Sequence, residues 1–195
     1  MIKKNTVYLI GGGLLLLLVI WLVIFYNGLV VKEEKLKQQW SEVQNTYQRR
    51  LDLIPNLVNV VKGMAEFEKG TLEQIAEARS AAASGLTNPQ LNGENIQRQE
   101  EMQNRLAGSV NRMLAQVERY PELKGTDAFR GLQTQLEGTE RRVKIARQDF
   151  NAAVADYNQK VRGFPGNLVA GFFGFTQKEG FEAAAGAEKA VEIKF

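Results

Sequence analysis

The side chains available for chemistry in this chain are carboxylates, guanidinium groups and hydroxyls, because the sequence contains no histidine and no cysteine. Thiol nucleophiles, imidazole acid–base catalysis, disulfides and Cys/His zinc sites are therefore excluded. Di-iron helical bundles need a Glu-x-x-His pair from each of two helices, which this chain cannot supply. A hydrolase built only from carboxylates needs two acids converging across a cleft, and nothing in the sequence marks Glu68, Glu137 and Glu140 as such a group. We expect no enzymatic activity and no cofactor.

Several polar residues nevertheless fall on positions that helical periodicity assigns to buried faces. Arg50 and Glu68 extend two apolar stripes, and Glu140 lies beside Thr139, which itself occupies an inward position. Charged groups are retained in a core only when they are paired. We therefore predict buried polar contacts at Arg50, Glu68, Thr139 and Glu140, with Arg50 pairing either Glu68 or Glu140. The alternative is that these residues lie on solvated edges of the stripes.

The elements that must position these residues are helices. Apolar residues recur at spacings of three and four, which predicts helices over residues 28–53, 56–83, 94–119 and 126–162. The glycine- and asparagine-rich SGLTNPQLNG (84–93) and the shorter YPELKG (120–125) are predicted loops. The fold class predicted is all-α, an antiparallel up-and-down four-helix bundle with coiled-coil-like packing.

The position of the first chain reversal depends on RRLDLIPN (49–56). Pro55 has no N–H to donate to the carbonyl four residues earlier, but it is well tolerated in the first turn of a new helix. Asp52 is placed to accept hydrogen bonds from the exposed amides of that turn. We therefore favour a turn at residues 51–55, with Asp52 as cap. The alternative is one kinked helix, which would leave the end of the last helix far from the membrane.

A membrane anchor precedes the predicted bundle. Twenty uncharged residues run from Val7 to Tyr26, and a helix of that length spans roughly 30 Å, the thickness of the hydrocarbon core. No small-residue cleavage site follows the run, so an uncleaved single-pass anchor is favoured over a signal peptide. The predicted divisions are 1–27 for the short amino terminus and anchor, 28–162 for the bundle, and 163–195 for the tail.

The tail is rich in phenylalanine and glycine. With a turn at 51–55 the last helix returns to the bilayer, so the tail is placed to insert shallowly, pack around the anchor or contact other copies. The alternative is that it caps the open end of the bundle core. The residues predicted to contact membrane or partner are Phe164, Leu168, Phe172, Phe173, Phe175 and Phe181.

The sequence resembles the LemA family of bacterial membrane proteins. The resemblance is carried in order by YNGLV (26–30), YQRRLDLIPNLVNVVKG (47–63), AR (78–79), RYPELKG (119–125), LEGTERRV (136–143), YNQKVRGFP (157–165) and FGF (173–175). It implies an amino-terminal transmembrane helix in the bacterial inner membrane, followed by a helical domain on the cytoplasmic side. Relatives occur in membrane remodelling, including magnetosome formation, and alongside membrane metalloproteases of the HtpX type.

The function expected is that of a membrane-anchored structural or scaffold protein of the bacterial envelope that acts through helix faces and the aromatic tail. Homo-oligomers and other membrane proteins, such as an HtpX-type protease, are the expected partners. The net charge is only +3 and the charges are interspersed, so no nucleic-acid partner is expected. The alternatives are a sensor of lipid or small ligands and an adaptor for a membrane protease.

Overall fold

Helices make up all the regular secondary structure in the described ranges of this computed structural model, which are residues 4–63, 69–87 and 90–182, with side chains described from residue 8. The helices are α1 (Lys4–Lys62), α2 (Lys69–Leu86), α3 (Gly93–Val117), α4 (Pro121–Lys124), α5 (Asp127–Arg162) and α6 (Gly166–Phe172). The most extensive packing joins α1 to α5 and α2 to α3.

The longest helix, α1, continues without interruption through Pro55. The predicted turn at residues 51–55 is therefore wrong, and so is the assignment of Asp52 as a cap. Asp52 lies on the exposed side of α1, where its carboxylate accepts a hydrogen bond of 2.8 Å from the Gln48 side chain four residues earlier. Leu51, Ile54 and Leu57 are all buried in the continuous helix, and a turn at this point would break their shared apolar face.

A contact from α2 explains how Pro55 is accommodated. Proline leaves the carbonyl of Leu51 without its helical donor. The Arg79 side chain of α2 replaces that donor, with 3.0 Å between its Nε and the Leu51 oxygen. The helix therefore keeps its apolar face in the core while the freed carbonyl remains hydrogen-bonded.

Helix α2 lies back along α1, so the change of direction falls after Lys62 rather than before Pro55. Lys69 and Leu72, at the start of α2, line the same cleft as Val58 and Lys62. The alternative of one kinked helix is closer to the observed α1. Its expected consequence, that the last helix ends far from the membrane and hence from the uncharged run, is wrong. Helix α5 still ends beside the amino-terminal half of α1.

Two ion pairs show the direction in which α5 runs relative to α1. Lys32 contacts Asp156 at 2.8 Å, and Arg50 contacts Glu140 at 2.5 Å. Residue numbers thus rise along α1 as they fall along α5. The last turn of α5, with Val161 in the core beside Leu29, lies where α1 leaves its uncharged run.

Two apolar clusters form the core. The distal cluster joins α1, α2 and α3 through residues such as Leu57, Ile75 and Val110. The proximal cluster, which lies nearer the uncharged run of α1, joins α1 to α5 through residues such as Trp40 and Phe150. The predicted stripes supply most of both clusters, although Phe164, which extends the α5 stripe, is exposed because α5 ends at Arg162.

Local sequence sets the ends of the later helices. The Asn92 side chain accepts from the Asn95 amide at the start of α3, and the Thr126 hydroxyl accepts from the Phe129 amide at the start of α5. Pro121 occupies the first turn of α4, the position that suits its missing donor. Helix α6, inside the tail, was not predicted.

Candidate functional site

The short helix α6 packs directly against α1 at the end of the uncharged run. The ring of Phe25 fills the space in which a side chain at Gly166 would begin, so only glycine allows this approach. Tyr26 is in edge contact with the Phe173 and Phe175 rings, with centroid distances of 4.9 and 5.7 Å. The start of the tail is therefore fixed by aromatic contacts to α1, where its uncharged run ends.

One side of this region is apolar and open to solvent. Phe164 and Phe172 are 84% and 85% exposed, and Leu168 between them is 66% exposed. Leu168 and Phe172, four residues apart, share one side of α6, and Phe164 lies exposed two residues before the helix begins. Phe173 is partly covered by Tyr26, and Phe175 is half-buried. We call Phe164, Leu168 and Phe172 the apolar face of α6.

Positive charge accompanies the apolar face. The last turn of α5 contains Lys160 and Arg162. The Lys160 ammonium lies 5.3 Å from the centre of the Phe25 ring, within the range of a cation–π contact. One turn back, the hydrogen bond from Lys32 lowers the pKa of Asp156 below its ordinary value. The region thus combines exposed apolar side chains with the half-buried Lys160 and the exposed Arg162 beside the candidate membrane span.

After α6 the chain runs back along α5 in a segment without regular secondary structure, residues 176–182, which we call the return segment. Two asparagines of α5 hold its backbone. Asn158 accepts from the Lys178 amide at 2.9 Å and donates to the Lys178 carbonyl at 2.8 Å. Asn151 makes the same pair of hydrogen bonds with Phe181, at 2.8 and 3.0 Å.

Phe181 differs from the other phenylalanines predicted to face membrane or partner. Its ring is only 8% exposed and packs against Trp40 and Phe150, with centroid distances of 6.0 and 5.5 Å. The Arg147 guanidinium lies 4.4 Å from the ring centre. In this chain Phe181 is a core residue, so the tail both covers the core and exposes an apolar face.

A buried polar group crosses the middle of the molecule. Arg50 is 3% exposed, and it donates to the Gln103 side chain at 2.9 Å and to Glu140 at 2.5 Å. Thr139 is buried, and its hydroxyl donates to the Gln135 carbonyl of its own helix. Glu68 lies outside the described residues. Arg50 and Glu140 are thus brought together, whereas Thr139 bonds locally.

Tyr47 lies beside this group. Its phenol is buried, and burial raises its pKa above the ordinary value although Arg147 and Arg50 oppose the shift. The Arg147 guanidinium pairs with Glu100. These residues line a cleft of about 500 Å³. Both arginines of the cleft already have carboxylate partners, Arg50 with Glu140 and Arg147 with Glu100. Within the described ranges, no group of three acidic, histidine or cysteine side chains is arranged to hold a metal ion.

Sequence reasoning missed Gln103, Arg79 and the two asparagines that hold the return segment. Asn151 and Asn158 stand seven residues apart on α5, and this regular spacing was the only available signal. It could not be read from the sequence because their partners lie 20 to 30 residues away in an irregular segment.

Helix α1 is the one helix in the described part of the chain that is long and apolar enough to cross a membrane, and the apolar stretch is its amino-terminal half. Its large apolar side chains from Tyr8 to Ile24 are mostly exposed. In the part of the chain that the structure describes, the protein is thus all-helical in its regular structure and carries a candidate membrane span. The sequence model of the LemA family matches residues 39–195, and the chain belongs to that family.

Relatives of the chain include magnetosome proteins. Magnetosome protein MamQ 2 of Paramagnetospirillum magneticum is 26% identical over 182 residues, which cover 83% of this chain and 66% of the relative. Magnetosome protein MamQ of Magnetospirillum gryphiswaldense is 25% identical over 178 residues, covering 82% and 65%. Protein LemA of Metamycoplasma hominis is 24% identical over 154 residues, covering 75% and 67%. The chain therefore spans just under two thirds of the length of these MamQ relatives.

Proposed function

We propose that this LemA-family chain is a non-enzymatic scaffold of the bacterial inner membrane. In this proposal α1 is a single-pass anchor, and α1, α2, α3 and α5 form an antiparallel up-and-down four-helix bundle outside the bilayer. Helix α6 makes a second membrane contact beside the anchor. The bundle is thereby held at a fixed height and orientation, with its outer helix faces free for partners.

The observation that carries the proposal is the exposed apolar face of α6 beside Tyr26. Phe164, Leu168 and Phe172 are large side chains left in solvent at the level where the uncharged run of α1 ends. Aromatic residues favour the headgroup region, and apolar burial there is worth about 25 cal/mol per Å². Lys160 and Arg162 add attraction to anionic lipids. Shallow insertion of this face buries the apolar side chains and at the same time brings the two cationic side chains to the lipid headgroups.

Depth-dependent fluorescence quenching tests the proposal. The chain has no cysteine, so an environment-sensitive label can be placed at Leu168→Cys in the full chain, reconstituted into vesicles that carry nitroxide lipids. We expect strong quenching by nitroxides near the headgroup. A label at Ala115→Cys, exposed in α3 near the distal end of the molecule, is the matched control and should show little quenching.

Substitution of the flanking rings sharpens the test. Phe164→Ser together with Phe172→Ser should reduce quenching at position 168 several-fold because the remaining face buries too little apolar area to insert. The helicity of the chain should be unchanged since both rings are exposed. A label at position 168 that remains in a water-like environment in the wild-type background would contradict the second membrane contact.

A second candidate, a sensor of small ligands, is favoured by one observation, the cleft lined by Tyr47, Arg50 and Gln103. Arg50 is already neutralised by Glu140, and Arg147 by Glu100, so an anionic ligand would have to displace these carboxylates. The scaffold function needs no such displacement and is therefore preferred. A shift in thermal stability on addition of a small ligand, abolished by Arg50→Met, would instead favour the sensor.

The side of the membrane that holds the bundle is proposed to be the cytoplasmic side, as the LemA family suggests. Cysteine labelling with a membrane-impermeant reagent at Ser84→Cys, an exposed position in α2, tests this assignment. Labelling in intact spheroplasts before lysis would place the bundle outside and contradict it.

A further inference from the structure

A cleft between α1 and α2 is not used by the proposed scaffold function. It has a volume of about 440 Å³ and is lined by one face of each helix, from Ile54 to Lys62 on α1 and from Lys69 to Arg79 on α2. Sites for small ligands in proteins typically have volumes of about 300–1,000 Å³. The cleft is therefore large enough to hold a small molecule.

The middle of the cleft is apolar. Ile54, Leu72 and Ile75 line it and also belong to the buried distal cluster. Pro55 and Val58, which line it as well, are half-buried. A hydrocarbon group that covers these side chains leaves water together with them, which favours its binding. The part of a ligand that lies here is therefore apolar.

The charged side chains of the cleft are mainly cationic. Lys62, Lys69 and Arg79 line it, together with a single carboxylate, that of Glu73. Glu73 lies 3.7 Å from Lys69, but both side chains are largely exposed, so water screens this pair. Lys62 and Arg79 form no ion pair with any residue in the described ranges. The excess of positive charge favours an anionic ligand.

The cationic side chains lie at the two ends of the cleft. Lys62 is the last residue of α1 and Lys69 is the first residue of α2, so both lie at the distal end. Arg79 lies at the other end, where its Nε atom is 3.0 Å from the Leu51 carbonyl oxygen. From Ile54 to Lys62 the helix rises about 12 Å at 1.5 Å per residue. A chain of several carbon atoms can therefore lie on the apolar middle while its charged group contacts Lys62 and Lys69.

The cleft is too far from the proposed bilayer to be filled by a membrane phospholipid. From Tyr26 to Val58 the same uninterrupted helix rises about 48 Å at 1.5 Å per residue. A whole bilayer, headgroups included, is only about 40–45 Å thick, so a lipid whose chains remain in it cannot bridge this distance. A ligand must therefore reach the cleft from the surrounding water.

We infer that this cleft binds a small amphiphilic anion, with its anionic group at Lys62 and Lys69 and its hydrocarbon chain against Ile54 and Ile75. The inference goes beyond the scaffold function, because the site uses neither the uncharged run of α1 nor α6. The bound molecule contacts α1 and α2 together, so its binding stabilises the pairing of these helices that Arg79 also supports.

Calorimetric titration tests this binding. The full chain in nanodiscs is titrated with octanoate and, separately, with octanol, which has a chain of the same length without the charge, and the heat measured with empty nanodiscs is subtracted. We expect saturable binding of octanoate at one molecule per chain. Octanol should bind about fivefold more weakly, the size of effect expected from the loss of exposed ion pairs. Added salt should reduce this preference for octanoate.

A matched pair of charge variants locates the anionic group. Lys62→Gln with Lys69→Gln should remove the preference for octanoate over octanol. Lys35→Gln with Lys144→Gln, which removes two exposed lysines outside the cleft, should retain it. All four positions are exposed, so the helicity of both variants, measured by circular dichroism, should match that of wild type.

A matched pair of size variants locates the hydrocarbon chain. Ala76→Trp places a large ring at an exposed position that lines the cleft, and it should weaken the binding of both probes several-fold. Ala115→Trp, at an exposed position of α3 outside the cleft, should bind both probes as wild type does.

Equal affinity of the wild-type chain for octanoate and octanol would overturn the inference, and so would octanoate binding that survives both the double lysine variant and Ala76→Trp. A synthetic peptide of alternating glutamate and leucine that binds at one per chain while octanoate does not would also overturn it, and would indicate an acidic segment of a partner protein as the occupant. Quenching at position 168 is measured without either probe, so this failure is distinct from failure of the scaffold proposal.

Discussion

At the level of single residues, Pro55 and Arg79 act as a pair. Pro55 removes one donor from the interior of α1, and Arg79 returns a hydrogen bond to the orphaned Leu51 carbonyl from another helix. An unsatisfied buried carbonyl costs about 1–3 kcal/mol, so the contact matters most while proline is present. The pair joins α2 to α1 at a defined register.

A double-mutant cycle measures this dependence. Arg79→Ala should destabilise the wild-type chain by about 1–3 kcal/mol because it leaves the Leu51 carbonyl unpaired. In a Pro55→Ala background the restored amide can bond to Leu51, so the same change should cost less than half as much. The free energy of unfolding in denaturant is the measurement. Arg98→Ala, at an exposed position of α3, is the control, and equal costs in both backgrounds would contradict the pairing.

The pairing of the buried Arg50 with Glu140 is a second interaction between single residues of different helices. The guanidinium is surrounded by the core but contacts a carboxylate and an amide oxygen. Burial of an isolated charge would be very costly, so Glu140 is required wherever Arg50 stays buried. The pair gives α1 and α5 a fixed register that apolar side chains alone would leave less well defined.

At the level of elements, the contact between α6 and α1 depends on the absence of a side chain at one position. Gly166 is buried against the Phe25 ring, whereas a side chain at Gly171 of the same helix would begin in open space, with no neighbouring atom within 4 Å. The two glycines therefore have different roles in a helix of seven residues. The first allows close packing against α1, and the second only reduces helix propensity.

This difference gives a matched comparison. Gly166→Ala should destabilise the chain by about 1–3 kcal/mol, because the added methyl group overlaps the Phe25 ring and forces α6 away from α1. Gly171→Ala should be neutral or stabilising by up to about 1 kcal/mol. Denaturant unfolding in detergent gives both values. A Gly166→Ala chain as stable as the Gly171→Ala chain would mean that α6 does not depend on this close approach.

At the level of the whole molecule, the proximal cluster connects α1, α5 and the tail. It contains Leu29 from α1, Tyr157 from α5 and Phe181 from the return segment. Tyr47 and Tyr157 place their rings inside it, and neither hydroxyl has a hydrogen-bond partner among the described residues. Burial is the largest cause that raises the pKa of each phenol.

The two tyrosines therefore make stability depend on alkaline pH. Because their pKa values are higher in the folded than in the unfolded chain, the neutral phenols favour the folded state. This contribution is fully present below about pH 10, the unfolded pKa, and is lost as pH rises toward the folded values. Tyr47→Phe with Tyr157→Phe should retain more of its stability above pH 10, measured by unfolding midpoints across pH.

At neutral pH the same double variant should stay within about 1 kcal/mol of wild type, since removal of an unpaired buried hydroxyl is nearly neutral. Tyr120→Phe, which removes a phenol beside the distal cluster, is the control. A double variant that loses stability above pH 10 as steeply as wild type would show that other groups govern alkaline unfolding.

The sequence by itself determined the features that arise from local pattern. The uncharged run defined the candidate membrane span, and spacings of three and four identified core residues such as Trp40, Val110 and Phe150. These predictions succeed because burial of one helix face is a property of residues that are close in sequence. The inward position of Arg50 was predictable for the same reason.

Only the tertiary structure decided where the chain changes direction and how the tail is used. The local signal at Pro55 favoured a turn, but Arg79, 24 residues later, removes the penalty for continuing the helix. The sequence does not distinguish the phenylalanines of the tail, yet in the folded chain Phe172 is exposed and Phe181 is buried. That division depends on Asn151, which lies 30 residues from Phe181 in sequence but within hydrogen-bond distance of its backbone. Contacts between such distant residues leave no periodic signal, so the folded chain alone specifies them.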